Sequence, residues 1–170
     1  MKVIIGGAGI TGLTLACYLQ QNNTAFKIVE QSNTVSHNRS AIQISSNCHF
    51  VFDELGVLNL IKSKAIQEPI LNVYSNDQLL NKLSVTNNKE EGTLFIRRKD
   101  LISILMSKLN DDNSIINLKI ENVIESAEHV EACTSQGSLK GDLFIDCLGI
   151  NSLNESNIVD TKSIGIWGIS

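Results

Sequence analysis

The 170-residue chain lacks several patterns that mark whole classes of protein. It has no run of 18 apolar residues, and Met1 and Lys2 lead directly into an apolar stretch, so we expect neither a transmembrane helix nor a signal peptide. The formal net charge is −4 and no basic block occurs, which argues against nucleic acid as a partner. These absences predict a cytoplasmic protein with no membrane or nucleic-acid partner.

The chain also lacks the paired cysteines and histidines of redox motifs and metal sites. Its four cysteines contain no C-x-x-C spacing, which is typical of reduced residues in or near the core of a cytosolic protein. Its three histidines show no paired spacing with each other or with cysteine, so we predict no metal site. No Ser-His-Asp set or pair of carboxylates stands out, and we therefore assign no catalytic residue. The residues considered are Cys17, Cys48, Cys133, Cys147, His37, His49 and His129.

The start of the chain has the pattern of a nucleotide-binding βαβ unit. Residues 3–5 form a short apolar run, as expected of a parallel strand that is buried on both faces. The glycines that follow match the G-x-G-x-x-G spacing. In such a turn the first glycine permits the bend, the second lets a pyrophosphate approach the backbone, and the third lets the helix pack closely on the strand. The candidate cofactor-binding residues here are Gly7, Ala8, Gly9, Ile10, Thr11 and Gly12.

The residues after the glycines supply the context that this motif requires. Residues 10–19 carry enough apolar side chains for a helix packed on a sheet, and the polar stretch 20–23 ends it. A second apolar run follows at 26–29, and Glu30 at its end is placed to accept hydrogen bonds from a ribose. An acid at this position favours FAD or NAD over NADP. The alternative, a glycine-rich turn without a ligand, fits this complete order of elements less well.

The rest of the chain predicts short helices and strands. Asn47 is the predicted cap of the second helix, and Gly56 its stop. Residues 123–125, 130–133 and 139 fit an antiparallel meander, and residues 143–145 a second buried parallel strand. The other predicted helices cover 47–55, 58–65 and 98–109. The other predicted strands cover 41–44, 70–74, 78–85, 94–96 and 116–121.

Four segments, spread over nearly the whole chain, occur together in one known family. They are the glycine turn with V-E-Q at 29–31, R-S-A-I-Q-I-S-S-N at 39–47 with L-G-V-L at 55–58, I-R-R-K-D-L at 96–101, and G-D-L-F-I-D-C-L-G-I-N-S at 141–152. In these segments the chain resembles the class A flavoprotein monooxygenases, the p-hydroxybenzoate-hydroxylase-like family. The resemblance adds Gln31 and Gly149 to the candidate cofactor-binding residues.

The resemblance implies a fold and a chemistry. The fold would be an α/β, FAD/NAD(P)-binding, Rossmann-like three-layer domain with an antiparallel meander and part of a substrate-domain β-sheet, in truncated form. Residues 1–170 would be the N-terminal portion of the FAD-binding domain, with 66–97 as a partial substrate-domain insertion. The cofactor would be FAD, with NAD(P)H as co-substrate and a small aromatic-type molecule as substrate.

Arginine is rare, and all three arginines lie in or beside the matching segments. By resemblance, Arg39 would lie near the flavin or the entrance to its site. Arg98 is favoured over its neighbour Arg97 because it aligns with the start of a helix in the family. A guanidinium suits a flavin diphosphate. The alternative is that these residues are surface charges.

Some features depart from the family pattern. Leu148 stands where the family has an aspartate, and Glu155 where it has an arginine. The family's third signature, a Gly-Asp that holds the ribityl chain, has no counterpart, and the apolar run at 164–167 would enter a sheet whose remainder is absent. We therefore expect an incomplete or split enzyme, inactive by itself, with its C-terminal half encoded separately. The alternative is a non-catalytic dinucleotide-binding or interaction module that retains the βαβ fold.

Overall fold

The computed structural model describes residues 1–32, 40–67, 70–84, 92–110 and 115–153. Contacts divide the chain into a first unit, Met1–His37 with Leu105–Ile166, and a second unit, Asn38–Ile104 with Trp167–Ser170. The assignment of 66–97 as a substrate-domain insertion stays a prediction. Four features singled out in the sequence lie outside the described residues, namely His37, Arg39, Glu155 and the run at 164–167.

The elements alternate between strands and helices in the first part of the chain and are mostly strands in the last part. The helices are α1 (Ile10–Gln21), α2 (His49–Glu54), α3 (Leu58–Lys64) and α4 (Arg98–Met106). The strands are β1 (Lys2–Gly6), β2 (Ala25–Glu30), β3 (Ala41–Ile44), β4 (Ile66–Gln67), β5 (Ile70–Ser75), β6 (Gln78–Ser84), β7 (Leu94–Arg97), β8 (Ile115–Asn117), β9 (Ile120–Glu125), β10 (Val130–Thr134), β11 (Gly137–Gly141) and β12 (Leu143–Asp146).

The first unit has a parallel sheet in the order β12-β1-β2-β8. Val3, Ile4 and Ile5 of β1 are fully buried, which confirms the central strand expected from the apolar run. The strand β12 is also parallel, as predicted, but it is not buried on both faces. Its Leu143 is 42% exposed because β12 has β1 as a neighbour on one side and stands at the edge of the described sheet.

Three layers build this unit. On one face of the sheet, Ile5 packs against α1, whose Leu13 and Ala16 are fully buried. On the other face, Ile4 and Val29 pack in a single core cluster with residues of the antiparallel sheet β11-β10-β9. The predicted three-layer arrangement of helix, parallel sheet and meander is therefore confirmed.

Several predicted boundaries were wrong. The strand expected at 116–121 is two strands, because the Leu118 N–H turns back to the Ile116 carbonyl at 3.0 Å and ends β8. Asn47 does not cap a helix; it lies in the 3-10 turn Ser46–Cys48, and α2 begins at His49. Cys48 is exposed rather than near the core.

The second unit has its own small core. An antiparallel sheet, β3-β7-β4, buries Ile44, Leu94 and Ile96, while α3 contributes the fully buried Ile61. The hairpin β5-β6 turns as predicted, through residues 76 and 77 with positive φ. None of the helices described in either unit has the length and apolar character needed to cross a membrane.

Candidate functional site

The turn after β1 requires glycine at its first position. Gly7 has φ +100°, and its N–H donates to the Val29 carbonyl at 2.8 Å. A Cβ placed on Gly7 would lie 2.5 Å from the carbonyl oxygen of Cys147. The turn is therefore confined between the end of β2 and the loop that follows β12.

Gly12 is required for a different reason. A Cβ at this position would stand 2.0 Å from the carbonyl oxygen of Gly7 and 3.3 Å from Cγ2 of Ile5. The helix α1 can lie this close to the Gly7 carbonyl only because Gly12 has no side chain. A side chain at Gly12 would clash first with the glycine turn, and the strand β1 is the next closest neighbour.

Gly9 differs from both, because its backbone imposes no special need for glycine. It precedes α1 with φ −73° and ψ −176°, a conformation open to any residue, and its carbonyl accepts from Leu13 N–H at 2.9 Å. Among the residues that the structure describes, no side chain caps the N-terminus of α1, and its first turn contains no acidic residue. The first N–H groups of α1, beginning at Ile10 and Thr11, thus carry the positive end of the helix dipole without an anionic side chain.

Glu30 lies directly beside this turn. Its Oε2 accepts from the Ala8 N–H at 2.8 Å, and its Oε1 accepts from the Ser32 N–H at 2.9 Å. Each oxygen keeps a second lone pair for another donor. The carboxylate is therefore held at the carboxyl end of β2 by two backbone groups and can still accept from a ligand.

A cavity of about 570 Å³ opens at the carboxyl ends of the parallel strands. The residues that precede and follow Glu30 in the sequence both line it. Gln31, a predicted cofactor-binding residue, is one of the lining residues, and the other eight were not among the predicted site residues. Four of those eight lie at the break between β8 and β9 or at the start of β9, which the predicted continuous strand concealed. The lining residues are Val29, Gln31, Leu118, Lys119, Ile120, Glu121, Leu148, Asn151 and Leu153.

The loop after β12 brings the second signature to the same place. Gly149 has φ +64° and begins the 3-10 turn Gly149–Asn151, with no atom within 4 Å of a Cβ placed on it. Leu148, which stands in the position of the family's aspartate, contributes to the cavity wall instead of offering an acceptor. Asp146, two residues earlier, accepts from the Leu148 N–H at 2.9 Å and points back into its own loop.

Arg97 and Arg98 belong to the second unit. Arg98 begins α4, and its backbone N–H donates to the Ser40 carbonyl at 2.9 Å. Its Nε is buried and has no hydrogen-bond partner within the part of the chain that the structure describes. Arg97 is exposed at the end of β7. Arg98 thus keeps an unused donor, whereas Arg97 has the surroundings of a surface charge.

A second polar cluster lies on the meander. Glu131 Oε1 lies 2.7 Å from Lys140 Nζ and 3.0 Å from His129 Nε2, and Ser138 donates to its Oε2 at 3.2 Å. The pKa of Glu131 is lowered from 4.5 to about 2. The largest cause is the hydrogen bond from Lys140, and the second largest is the hydrogen bond from His129. In the described ranges, no three His, Cys, Asp or Glu side chains come together as a metal site.

Comparison with known proteins confirms the resemblance. No protein-family model matches the chain. It is 29% identical to the FAD-dependent monooxygenase dpchE of Colletotrichum higginsianum over 92% of this chain and 36% of that protein. It is 27% identical to the aurachin C monooxygenase/isomerase of Stigmatella aurantiaca over 96% of this chain and 44% of that protein. The chain therefore spans about two fifths of the length of these curated relatives.

A solved structure shows the same fold. The structure of Klebsiella pneumoniae HpxO complexed with FAD and uric acid matches with a TM-score of 0.69 at 20% identity, over 85% of this chain and 38% of that one. The predicted α/β fold of the FAD-binding monooxygenases is therefore confirmed for the part of the chain that aligns.

Proposed function

We propose that this chain, a relative of the FAD-dependent monooxygenases in sequence and in fold, binds FAD with its first unit. The observation that carries the proposal is the position of Glu30, whose carboxylate is hydrogen-bonded at 2.8 Å to the Ala8 N–H within the glycine turn. The proposed ribose acceptor and the proposed phosphate-binding turn lie side by side at the carboxyl edge of a parallel sheet, where nucleotides bind in such folds.

The surroundings fit the adenosine diphosphate half of FAD. The N-terminus of α1 has no side-chain cap from the described part of the chain, which supports a pyrophosphate as the acceptor for its N–H groups. Gly9 has no Cβ, which leaves room for that group next to the backbone. The cavity, at about 570 Å³, falls within the range of about 300 to 1,000 Å³ that is usual for small-molecule sites.

The glycine turn, Glu30 and Gln31 take specific roles in this proposal. The pyrophosphate would lie at the glycine turn, the ribose at Glu30 and the adenine in the adjoining cavity beside Gln31. Gly149, Arg39 and Arg98 are included by resemblance to the family alone, the arginines because a guanidinium suits a diphosphate. The proposed cofactor-binding residues are Gly7, Ala8, Gly9, Ile10, Thr11, Gly12, Glu30, Gln31, Arg39, Arg98 and Gly149.

The activity follows from the relatives and belongs to the same proposal. Bound FAD supplies the redox chemistry, while the protein binds, orients and shields it. We propose NAD(P)H as co-substrate, a small aromatic-type molecule as substrate, and a cytoplasmic location. The matched region covers 36 to 44% of these relatives, and we propose a separately encoded C-terminal half as a partner by resemblance to complete members of the family.

A fluorescence titration with FAD tests the binding proposal. We expect quenching of flavin emission by the wild type and loss of most of the affinity in Glu30→Ala, which removes the ribose acceptor. Glu125→Ala is the matched control, since Glu125 is exposed on β9 and does not line the cavity. Absence of quenching by the wild type at high micromolar protein would contradict the proposal, as would equal affinity in Glu30→Ala.

A non-catalytic dinucleotide-binding module is the second candidate. Leu148 favours it, because an apolar side chain lines the cavity where the family's aspartate would offer an acceptor. Oxidation of NAD(P)H in the presence of FAD tests the second candidate. Turnover coupled to a hydroxylated product by the chain alone would exclude the non-catalytic module, whereas binding without turnover fits both candidates, because the first also expects this chain to be inactive by itself.

A further inference from the structure

One carboxylate holds the loop that follows β12. Asp146, the last residue of β12, accepts through Oδ1 from the Leu148 N–H at 2.9 Å. Its Oδ2 accepts from the Ser152 hydroxyl and from the Leu153 N–H, both at 2.9 Å. These donors span the loop from its second residue to its end, so one side chain holds the loop at three points, in addition to the backbone hydrogen bonds from Asn151 to Leu148 and from Ser152 to Gly149.

The same loop touches both parts of the candidate site. The Cys147 N–H donates to the Gly6 carbonyl at 2.8 Å, and the Cys147 carbonyl closes over Gly7. Leu148 and Leu153 line the cavity next to Val29. A shift of this loop would therefore change the glycine turn and the cavity wall together.

We propose that Asp146 is a positioning residue for nucleotide binding: by fixing the loop 147–153, it sets the cavity wall formed by Leu148 and Leu153 against the glycine turn. The inference rests on the proposed function, since it concerns the same site. Asp146 acts through the loop and not by contact with the nucleotide, because the three hydrogen bonds that it accepts within the described ranges all come from loop residues.

The charge state of Asp146 suits this role. Burial by itself raises its pKa, but the hydrogen bonds from Leu148, Leu153 and Ser152 outweigh burial and hold the pKa below its ordinary value. The carboxylate is therefore ionised at neutral pH and accepts all three bonds at once. An amide of the same size cannot do so, because its nitrogen only donates.

Asp146→Asn is the test, with ADP and FAD as the probes in calorimetric titrations. Asp142→Asn is the matched control: it makes the same change just before β12 begins, where the carboxylate accepts from the Lys2 N–H at 2.5 Å. We expect Asp146→Asn to lose about tenfold in affinity for ADP and for FAD alike, and Asp142→Asn to stay within about twofold of the wild type. Melting temperatures measured without ligand separate a loss of folding from a loss of binding.

The outcomes are distinct. If the wild type binds neither ADP nor FAD, both the proposed function and this inference fail. If the wild type binds and Asp146→Asn binds equally well, this inference fails and the proposed function stands. If Asp146→Asn does not fold, Ser152→Ala replaces it, because it removes one of the three bonds; we expect a loss of about threefold, and unchanged affinity would overturn the inference.

Discussion

The substitution Gly12→Ala tests the packing of α1 on the glycine turn. The new Cβ would stand 2.0 Å from the Gly7 carbonyl oxygen, and Cβ atoms essentially never show contacts under 3.0 Å, so helix and turn must separate by at least 1.0 Å. Overpacking of this kind costs about 3 kcal/mol at the upper end of its range, because the obstructing atom is backbone. The higher helix propensity of alanine offsets up to about 1 kcal/mol of this loss in stability. We therefore expect a net loss of about 2 kcal/mol.

For a chain of this size, that loss lowers the melting temperature by about 4 to 8 °C. Differential scanning calorimetry measures it, and a flavin titration should show weaker binding because the turn has moved. Gly9→Ala is the control, since the backbone of Gly9 is in a conformation open to any residue and the expected cost is about 1 kcal/mol or less. If Gly12→Ala melts at or above the wild-type temperature, helix propensity outweighs the clash and the packing argument is wrong.

Two further predictions concern single residues. Gly9→Val should abolish FAD binding, because its side chain occupies the place of the pyrophosphate, while circular dichroism remains that of the wild type; retained binding would show that the ligand does not approach there. Glu131 should stabilise the fold above about pH 4.5, and this contribution should disappear as the pH falls towards about 2, because its pKa in the folded protein is depressed mainly by Lys140. In Glu131→Gln, the melting temperature should therefore fall less steeply with pH over that range. If the variant and the wild type show the same decrease in melting temperature at low pH, the proposed contribution of Lys140 is wrong.

The nucleotide-binding βαβ pattern was readable from the sequence because its signals are local. A buried parallel strand needs a continuous apolar run, and Gly7 is needed for a backbone with positive φ. The meander was readable for the same reason, since alternation and the turn near Gly137 mark it. Each of these signals lies within a few residues of the structure that it predicts.

The structural features that the sequence did not predict depend on contacts between segments that are far apart in the chain. Gly6 lies outside the glycine spacing, yet a Cβ there would stand 2.9 Å from the ring of Phe144, a residue on another strand. Lys119 and Glu121 line the cavity because β8 ends early, where the side chain of Asn117 donates to the Glu30 carbonyl at 3.1 Å. Nothing in the alternating pattern of residues 116–121 separates such a break from a continuous strand.

Amide hydrogen exchange with and without FAD tests most directly whether the first unit holds the cofactor. We predict slower exchange on addition of FAD in the glycine turn at 7–12, in residues 30–32 and in the loop 147–153. The exposed hairpin β5-β6 should exchange at the same rate in both samples. Unchanged exchange in all three segments at saturating FAD would contradict the account.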